Sequence, residues 1–379
     1  MPTNPVGGTT TVQAIHRAKR RLLAAGVIVS SLMVATVSAA QAATSAKSEV
    51  ASAKTALAPY TGHPSAFPVT QKLHKKPPAS TNVVFLQCGA AACANIGEDL
   101  KAPTSALGVH LTVINAGLFP SSLQSAAEAA LALHPAAVII AGVALSGFGD
   151  TLAKLESAGI IVDGIGIVDG SKYGLKATIG SETSDELGGA LMADWVLLHK
   201  GKKANVVFFG APELDFSPLM WTAFDSQLTK ICPTCSATTT PLSVLTYGTS
   251  APGDIVSYLR AHPAVNTAVF PTEEGAVGLP GALSDAGLSI TTFGFGPTPA
   301  NLANIENGSI TGGLGLDVAV EDWTLIDIIA KQLTHQSVPP TELKADLEVL
   351  GKSSVTPADV SNGWTGYPNV TKRFASLWP

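Results

Sequence analysis

Charge is scarce in this sequence. Only 13% of the 379 residues are Asp, Glu, Lys or Arg, and no stripe of Lys and Arg offers the footprint that a phosphate backbone needs. Nucleic acid is not expected as a partner. Cysteine is equally sparse, with four residues in two close pairs, Cys88 with Cys93 and Cys232 with Cys235. None of the eight histidines lies at ligand spacing from a cysteine or another histidine, so no metal site is expected. Catalytic signatures are missing too. There is no Gly-x-Ser-x-Gly nucleophile elbow, no His-Glu-x-x-His and no acidic calcium loop. Gly351-Lys352-Ser353 falls short of a phosphate loop because the position of the first glycine is Asp346. The Gly-rich stretches 142–149 and 312–315 lack the dinucleotide fingerprint, and no cofactor is expected. Two loop carboxylate pairs, Glu213 with Asp215 and Glu273 with Glu274, could run glycoside hydrolysis, but loop carboxylates more often cap helix N-termini.

What is present begins with Arg17, Lys19, Arg20 and Arg21, followed by an uncharged apolar run from Leu22 to Val37 and then Ala40-Gln41-Ala42. This is the pattern of a secretory signal peptide, residues 1–42, and the run is short for a membrane anchor. No cysteine follows it that could carry a lipid anchor, and no other stretch is long enough to span a bilayer. Removing four positive charges and no negative ones takes the net charge from −5 to −9. After export the cysteine pairs read as two local disulfides. A redox role for Cys232-Pro-Thr-Cys235 is disfavoured, because the pair follows a helical run and a reactive thiolate needs a helix N-terminus.

Residues 43–80 are rich in Ala, Ser, Thr, Lys and Pro with no periodic apolar face, and are expected to be a disordered linker. Strands and helices then alternate strictly. Strands are expected at 83–88, 110–115, 137–141, 160–163 and 177–179, with a helix over 96–107 between the first two. Thr183 and Glu186 form a possible capping box opening a helix whose inward face carries Leu187, Leu191, Trp195 and Leu198. Further strands are expected at 205–209, 237–245, 267–270, 289–293, 311–316 and 343–350, with an amphipathic helix over 320–333. Late aromatics Trp364, Tyr367, Phe374 and Trp378 are expected to pack onto a lobe.

One unit occurs twice. Ala261 to Leu283 and Ala132 to Gly149 each run a helix into His-Pro-Ala, then a short apolar β-branched strand, then a small-residue loop. Proline ends the helix, and so brief an apolar run fits a strand buried on both faces. The expected fold is α/β: two similar doubly wound parallel-sheet lobes built on one plan.

From Val83 to Val360 the chain resembles the type I periplasmic (extracytoplasmic) solute-binding proteins, in their ribose-binding-like branch. The resemblance rests on the order of weak motifs: Val83-Val84-Phe85-Leu86, Ala137-Val138-Ile139-Ile140, Ile179-Gly180-Ser181, Thr291-Thr292-Phe293-Gly294-Phe295-Gly296 and Val355-Thr356-Pro357-Ala358-Asp359-Val360. It implies a hinge of three crossings, near Gly180, Leu316 and Ala345. The N-terminal lobe would then be 81–180 with 317–345, and the C-terminal lobe 181–316 with 346–379. It also implies a monomer that binds a small molecule in the interlobe cleft, delivers it to an ABC-type permease and does no chemistry of its own. A membrane sensor as partner, or a secreted glycoside hydrolase, are the alternatives.

Several positions depart from the family's sugar binders. Ala92 and Cys93 stand where stacking aromatics are placed, Gly166 and Ile167 replace an Asp-Arg pair, Gly296 replaces an aspartate, and Leu316 replaces a glutamine. Hydroxyls facing such groups would be desolvated and unpaired, which argues against an ordinary monosaccharide. Phe216, Trp221, Tyr247 and Phe295 suit a flatter or more apolar ligand, with Thr272, Glu273 and Asp317 as polar anchors and Gly142 in the loop after the third strand.

Overall fold

The computed structural model describes residues 48–379, so the expected leader and cleavage site lie outside the described residues. Its framework is two sheets. β1 (Asn82–Cys88), β2 (His110–Gly117), β3 (Ala137–Ala141), β4 (Ile161–Ile165) and β5 (Ala177–Ile179) form a parallel sheet in the order β2-β1-β3-β4-β5. β6 (Asn205–Gly210), β7 (Ser236–Pro241), β8 (Thr267–Phe270), β9 (Thr291–Phe295) and β10 (Gly312–Leu316) repeat that order as β10-β9-β8-β6-β7, with β11 (Leu347–Leu350) added antiparallel at one edge. The two His-Pro-Ala units therefore occupy equivalent places, since β3 and β8 each pair next to the first strand of their sheet. Every residue of β3 and β8 is buried, as an apolar run sandwiched between helix layers must be.

Helix boundaries show where local chemistry overrides the periodic pattern. The expected helix over 96–107 is two helices, Ala91–Asp99 and Lys101–Leu107. Pro103 has no N–H for the Asp99 carbonyl and its ring clashes there, so the helix breaks at Leu100. The Thr183–Glu186 capping box does not form. The helix starts earlier, at Glu182, and the Glu182 carboxylate accepts instead from the Asp169 N–H. A capping box is found at Thr356 and Asp359. Trp195 is core, stacked on Phe293. Gly189 lets helices Glu182–Lys200 and Ser217–Ile231 touch, because a Cβ there would collide with the Met220 carbonyl.

The chain passes from the first sheet to the second at Gly180, whose φ of +61° favours glycine. After β10 the helix Val318–Leu333 returns to the first lobe, and β11 rejoins the second. These are the three expected crossings, and the structure adds two more. After Trp364, which belongs to the second lobe's core, helix Val370–Leu377 packs through Phe374 and Trp378 against Trp323 of the first lobe. At the other end Ala53 and Leu57 are buried in the second lobe, whereas Val69 and Leu73 are buried in the first. Of the stretch 43–80 expected as a disordered linker, residues 53–73 are thus a strap. Leu73 donates its N–H to the Leu377 carbonyl at 2.9 Å, and the Phe67 ring packs edge-on against Tyr367 and Phe374. Its apolar residues fall at irregular spacing, which is why no periodicity announces it. Both cysteine pairs form disulfides.

A fully buried cation fixes the far end of helix Val318–Leu333. Lys331 Nζ lies 2.7 Å from Asp327 Oδ2 and 2.7 Å from Glu342 Oε2, and Trp378 Nε1 donates to Asp327 Oδ1 at 2.6 Å. Burial pushes both carboxyls up while Lys331 pulls them back. Lys331→Met should leave two buried carboxylates facing each other without a cation, at a cost of roughly 3–5 kcal/mol. Chemical denaturation measures it, and a loss below about 1 kcal/mol would show that the pair relaxes into water.

Candidate functional site

In a sheet of this order the crevice opens at the carboxyl ends of the strands, where the order reverses. Both sheets present those ends to one cavity of about 520 Å³, within the range of small-molecule sites. β1 and the helix after it supply Ala92, Cys93 and Asp99; β3 leads to Gly142; β4 ends at Ile165 and Gly166. From the second sheet come Leu214 and Phe216 beyond β6, Thr272 and Glu274 beyond β8, Phe295 and Gly296 at β9, and Leu316 at β10. Gly180, Glu321 and Ala345 close the floor at the crossings.

Seven of the residues expected as ligand contacts line this cavity: Ala92, Cys93, Gly142, Phe216, Thr272, Phe295 and Leu316. Five do not. Ile167 is buried and folds back toward Gly164 on β4. Trp221 lies beside Phe208 and Phe224, because helix Ser217–Ile231 carries it on the flank of its inward face. The Tyr247 ring packs against Gly275. Glu273 turns under the loop onto β9 and β10, where Gly294 and Gly313 make room for it; burial holds its carboxyl far above the usual range. Asp317 is fully buried and its side chain accepts only from the chain: Oδ1 from the Val320 N–H at 3.1 Å, Oδ2 from the Gly366 N–H at 2.8 Å and the Thr365 hydroxyl at 2.9 Å.

The loop carboxylates find structural partners. Glu213 accepts from the Ser243 hydroxyl and the Val244 N–H, both in its own lobe. Asp215 accepts from the Val168 N–H and donates its own N–H to the Gly142 carbonyl at 3.3 Å, so it bridges the lobes. Glu274 does the same at the other side, accepting from the Ala92 N–H at the start of helix Ala91–Asp99. A carboxylate on a helix N-terminus is a favourable placement, so these contacts act as latches between the lobes.

Of the acids in the cavity wall, the sequence pattern singled out only Glu274. Asp185, Glu321 and Asp99 line it together with Glu98 and Glu274, and among the described residues no Lys, Arg or His does. Asp185 and Glu321 are each 4% exposed, and Asp185 Oδ2 and Glu321 Oε1 have no hydrogen-bond partner. Burial, followed by the carboxylates of Glu182, Asp215 and Glu186, raises Asp185 to about 8. Burial, with Asp317, Asp185 and Asp346 nearby, pushes Glu321 well above its ordinary value. A signal for Asp185 existed: it shares a helical face with Gly188, Gly189 and Met192, all buried, and a carboxylate on such a face calls for an explanation.

A family model described as "Periplasmic binding protein domain" matches residues 84–337. Among curated proteins none matches significantly. Among solved structures, the fold resembles an ABC transporter solute-binding protein from Agrobacterium vitis with bound allitol at TM-score 0.64 and 16% identity, covering 73% of this chain and 97% of that one. It also resembles one from Burkholderia graminis in complex with D-arabinose, at TM-score 0.66 and 17% identity over 74% and 99% of the two chains. A glucose-galactose binding protein from Geobacillus stearothermophilus aligns at TM-score 0.64 and 17% identity over 74% and 99%. At such identity the likeness establishes the fold.

The raised carboxyls set a pH dependence. An Asp that titrates near 3.8 when unfolded and about 8 in the fold keeps its proton longer in the folded state, so its contribution is complete below pH 4 and is lost as pH rises toward 8. Asp163, raised by burial to about 7, acts in the same direction. The melting temperature of ligand-free protein should therefore fall between pH 5 and 8, and Asp185→Asn should flatten the slope. Differential scanning calorimetry across that range checks it; a melting temperature that climbs with pH would contradict the buried-acid assignment.

Proposed function

We propose that this chain, which belongs to the periplasmic binding protein family, is an extracytoplasmic solute receptor that closes on a small organic molecule and presents it to an ABC-type permease. One observation carries this reading: a cavity of about 520 Å³ is walled by the strand ends of both lobes and floored by the chain crossings. A ligand there touches both lobes at once, so its contacts favour the closed arrangement over the open one, which is what hinge closure requires. The solute-binding proteins that share the fold are described with sugars and polyols, among them allitol and D-arabinose. Phe216, Phe295, Leu316, Ala92, Cys93, Thr272 and Gly142 are the proposed contacts, giving this cavity more apolar wall than a polyol needs. Export through the basic and apolar leader suits this role, as do two disulfides.

The test is to denature protein purified from its own source, identify the released small molecule by mass spectrometry and add it back. At a hundredfold excess over its dissociation constant the ligand should stabilise the protein by about 2.7 kcal/mol. The radius of gyration in solution scattering should fall. A Glu274→Ala, Asp215→Ala double variant, lacking both latches, should be more open without ligand. An unchanged radius at saturation would remove hinge closure from the function.

A further inference from the structure

The acid in the cavity wall has no counterpart of opposite sign. Glu98 pairs with Lys101 at 2.6 Å on the surface, and Glu274 is held by the Ala92 N–H. That leaves Asp99, Asp185 and Glu321 without a cation, and two of their oxygens are buried without any partner. The groups beyond them are also acidic: Glu182, Asp215 and Glu186 around Asp185, and Asp317 and Asp346 around Glu321. Among the described residues no cluster of ligands could hold a metal ion, and the cavity is large enough for an organic molecule. Around the acids the wall is apolar, with Ile96, Phe216, Phe295, Leu316 and Trp364.

We propose that the ligand is an organic cation, a small molecule carrying a protonated amine on a ring-shaped or apolar body, with the ammonium set between Asp185 and Glu321. This deepens the receptor reading and rests on it. An anion would meet only like charge. A neutral polyol could hydrogen-bond to the two carboxyls, but offers no positive charge to either of them when it ionises. An ammonium supplies both the donors and the charge. Its placement also explains closure, because Asp185 stands on helix Glu182–Lys200 of the second lobe and Glu321 on helix Val318–Leu333, which packs on the first. One cation between them draws the lobes together. Burial and the neighbouring carboxylates favour the protonated form of both acids in the empty site, so binding a cation should release protons.

Matched pairs that differ in the amine decide this: glucosamine against glucose, 1-amino-1-deoxysorbitol against sorbitol, and phenethylamine against 2-phenylethanol, screened by melting temperature at pH 7 and then titrated calorimetrically. In any pair that binds, the amine should bind at least tenfold more tightly than its neutral partner. Titrations in buffers of different ionisation enthalpy should show proton release. Glu321→Gln and Asp185→Asn should each cost the amine at least tenfold in affinity, without lowering the ligand-free melting temperature. Equal or tighter binding of the neutral partner overturns the proposal. If neutral or anionic compounds stabilise and compact the protein while no amine does, the cation is wrong and the receptor stands. If nothing in the screen binds, the cation proposal is overturned, and the receptor reading is judged separately by the molecule released on denaturation.

Discussion

Asp317 is the knot that holds the hinge. Its backbone N–H donates to the Asp346 carbonyl at 3.2 Å, one carboxylate oxygen caps helix Val318–Leu333, and the other receives the Gly366 N–H and the Thr365 hydroxyl. Three of the five crossings, at 317, 346 and 365, are thereby tied at one fully buried residue, through its backbone N–H and its carboxylate. Burial raises its carboxyl to about 6, and the three donors pull the other way, so the group is anionic at neutral pH and its bonds are the strong, charge-assisted kind. The lobes can swing about such a point, but the strands that lead into it cannot separate. The strap from Tyr60 to Phe67 passes close by, with Pro64 against Gly366 and His63 2.9 Å from Glu348. A hinge with so many tied strands favours a defined rotation over a loose tether.

The contrast between Lys331 and Glu321 shows what the same helix tolerates at its two ends. Lys331 sits between two carboxylates and an indole that holds one of them, so a buried charge is fully answered. Trp378 on Asp327 thereby ties this end of the helix to the C-terminal tail. At the other end Glu321 and Asp322 are buried with no cation near, and both are pushed toward the neutral form. A protonated carboxyl escapes the charge penalty yet still lacks hydrogen bonds, which costs about 1–3 kcal/mol per orphaned group. Stability alone would replace such residues with apolar ones. Of the two only Glu321 lines the cavity, where an unpaired acid is more economically explained by what enters it.

Much of the fold was legible because it follows from local pattern. Short apolar runs bounded by turns became buried parallel strands, and the repeated His-Pro-Ala unit marked β3 and β8, which hold the same place in two sheets of one order. Loops after strands pointed to Thr272 and Phe216, and the end of β9 to Phe295, all three of which line one cavity. What failed to show depended on which way a side chain turns. Glu273 and Glu274 are adjacent, yet one lies beneath the loop on Gly294 and the other faces the cleft, a choice made by the glycines of β9 and β10. Trp221 differs from Met220 by one position on a helix, and that step of 100° sends it to the flank of the core. The strap over 61–78 has no period to detect, since each of its apolar residues answers to a different partner.

The latches and the acids pull the closed state in opposite directions, and that opposition is what makes it responsive to ligand. Glu274 on the Ala92 N–H and Asp215 on the Val168 N–H are carboxylate contacts that reach across the cleft, beside the Asp215 N–H on the Gly142 carbonyl and the Asp169 N–H on Glu182. Each is a charge-assisted bond in a place water can reach, so together they contribute only a few kcal/mol. Closure also brings Asp185 toward Glu321, which costs energy unless protons or a cation neutralise them. In the hinge-closing receptor proposed above, these two contributions oppose each other. A ligand then needs only its differential contact with the second lobe to decide the equilibrium. Because that contact includes the buried acids, the group that binds most tightly is also the one that removes the obstacle to closing.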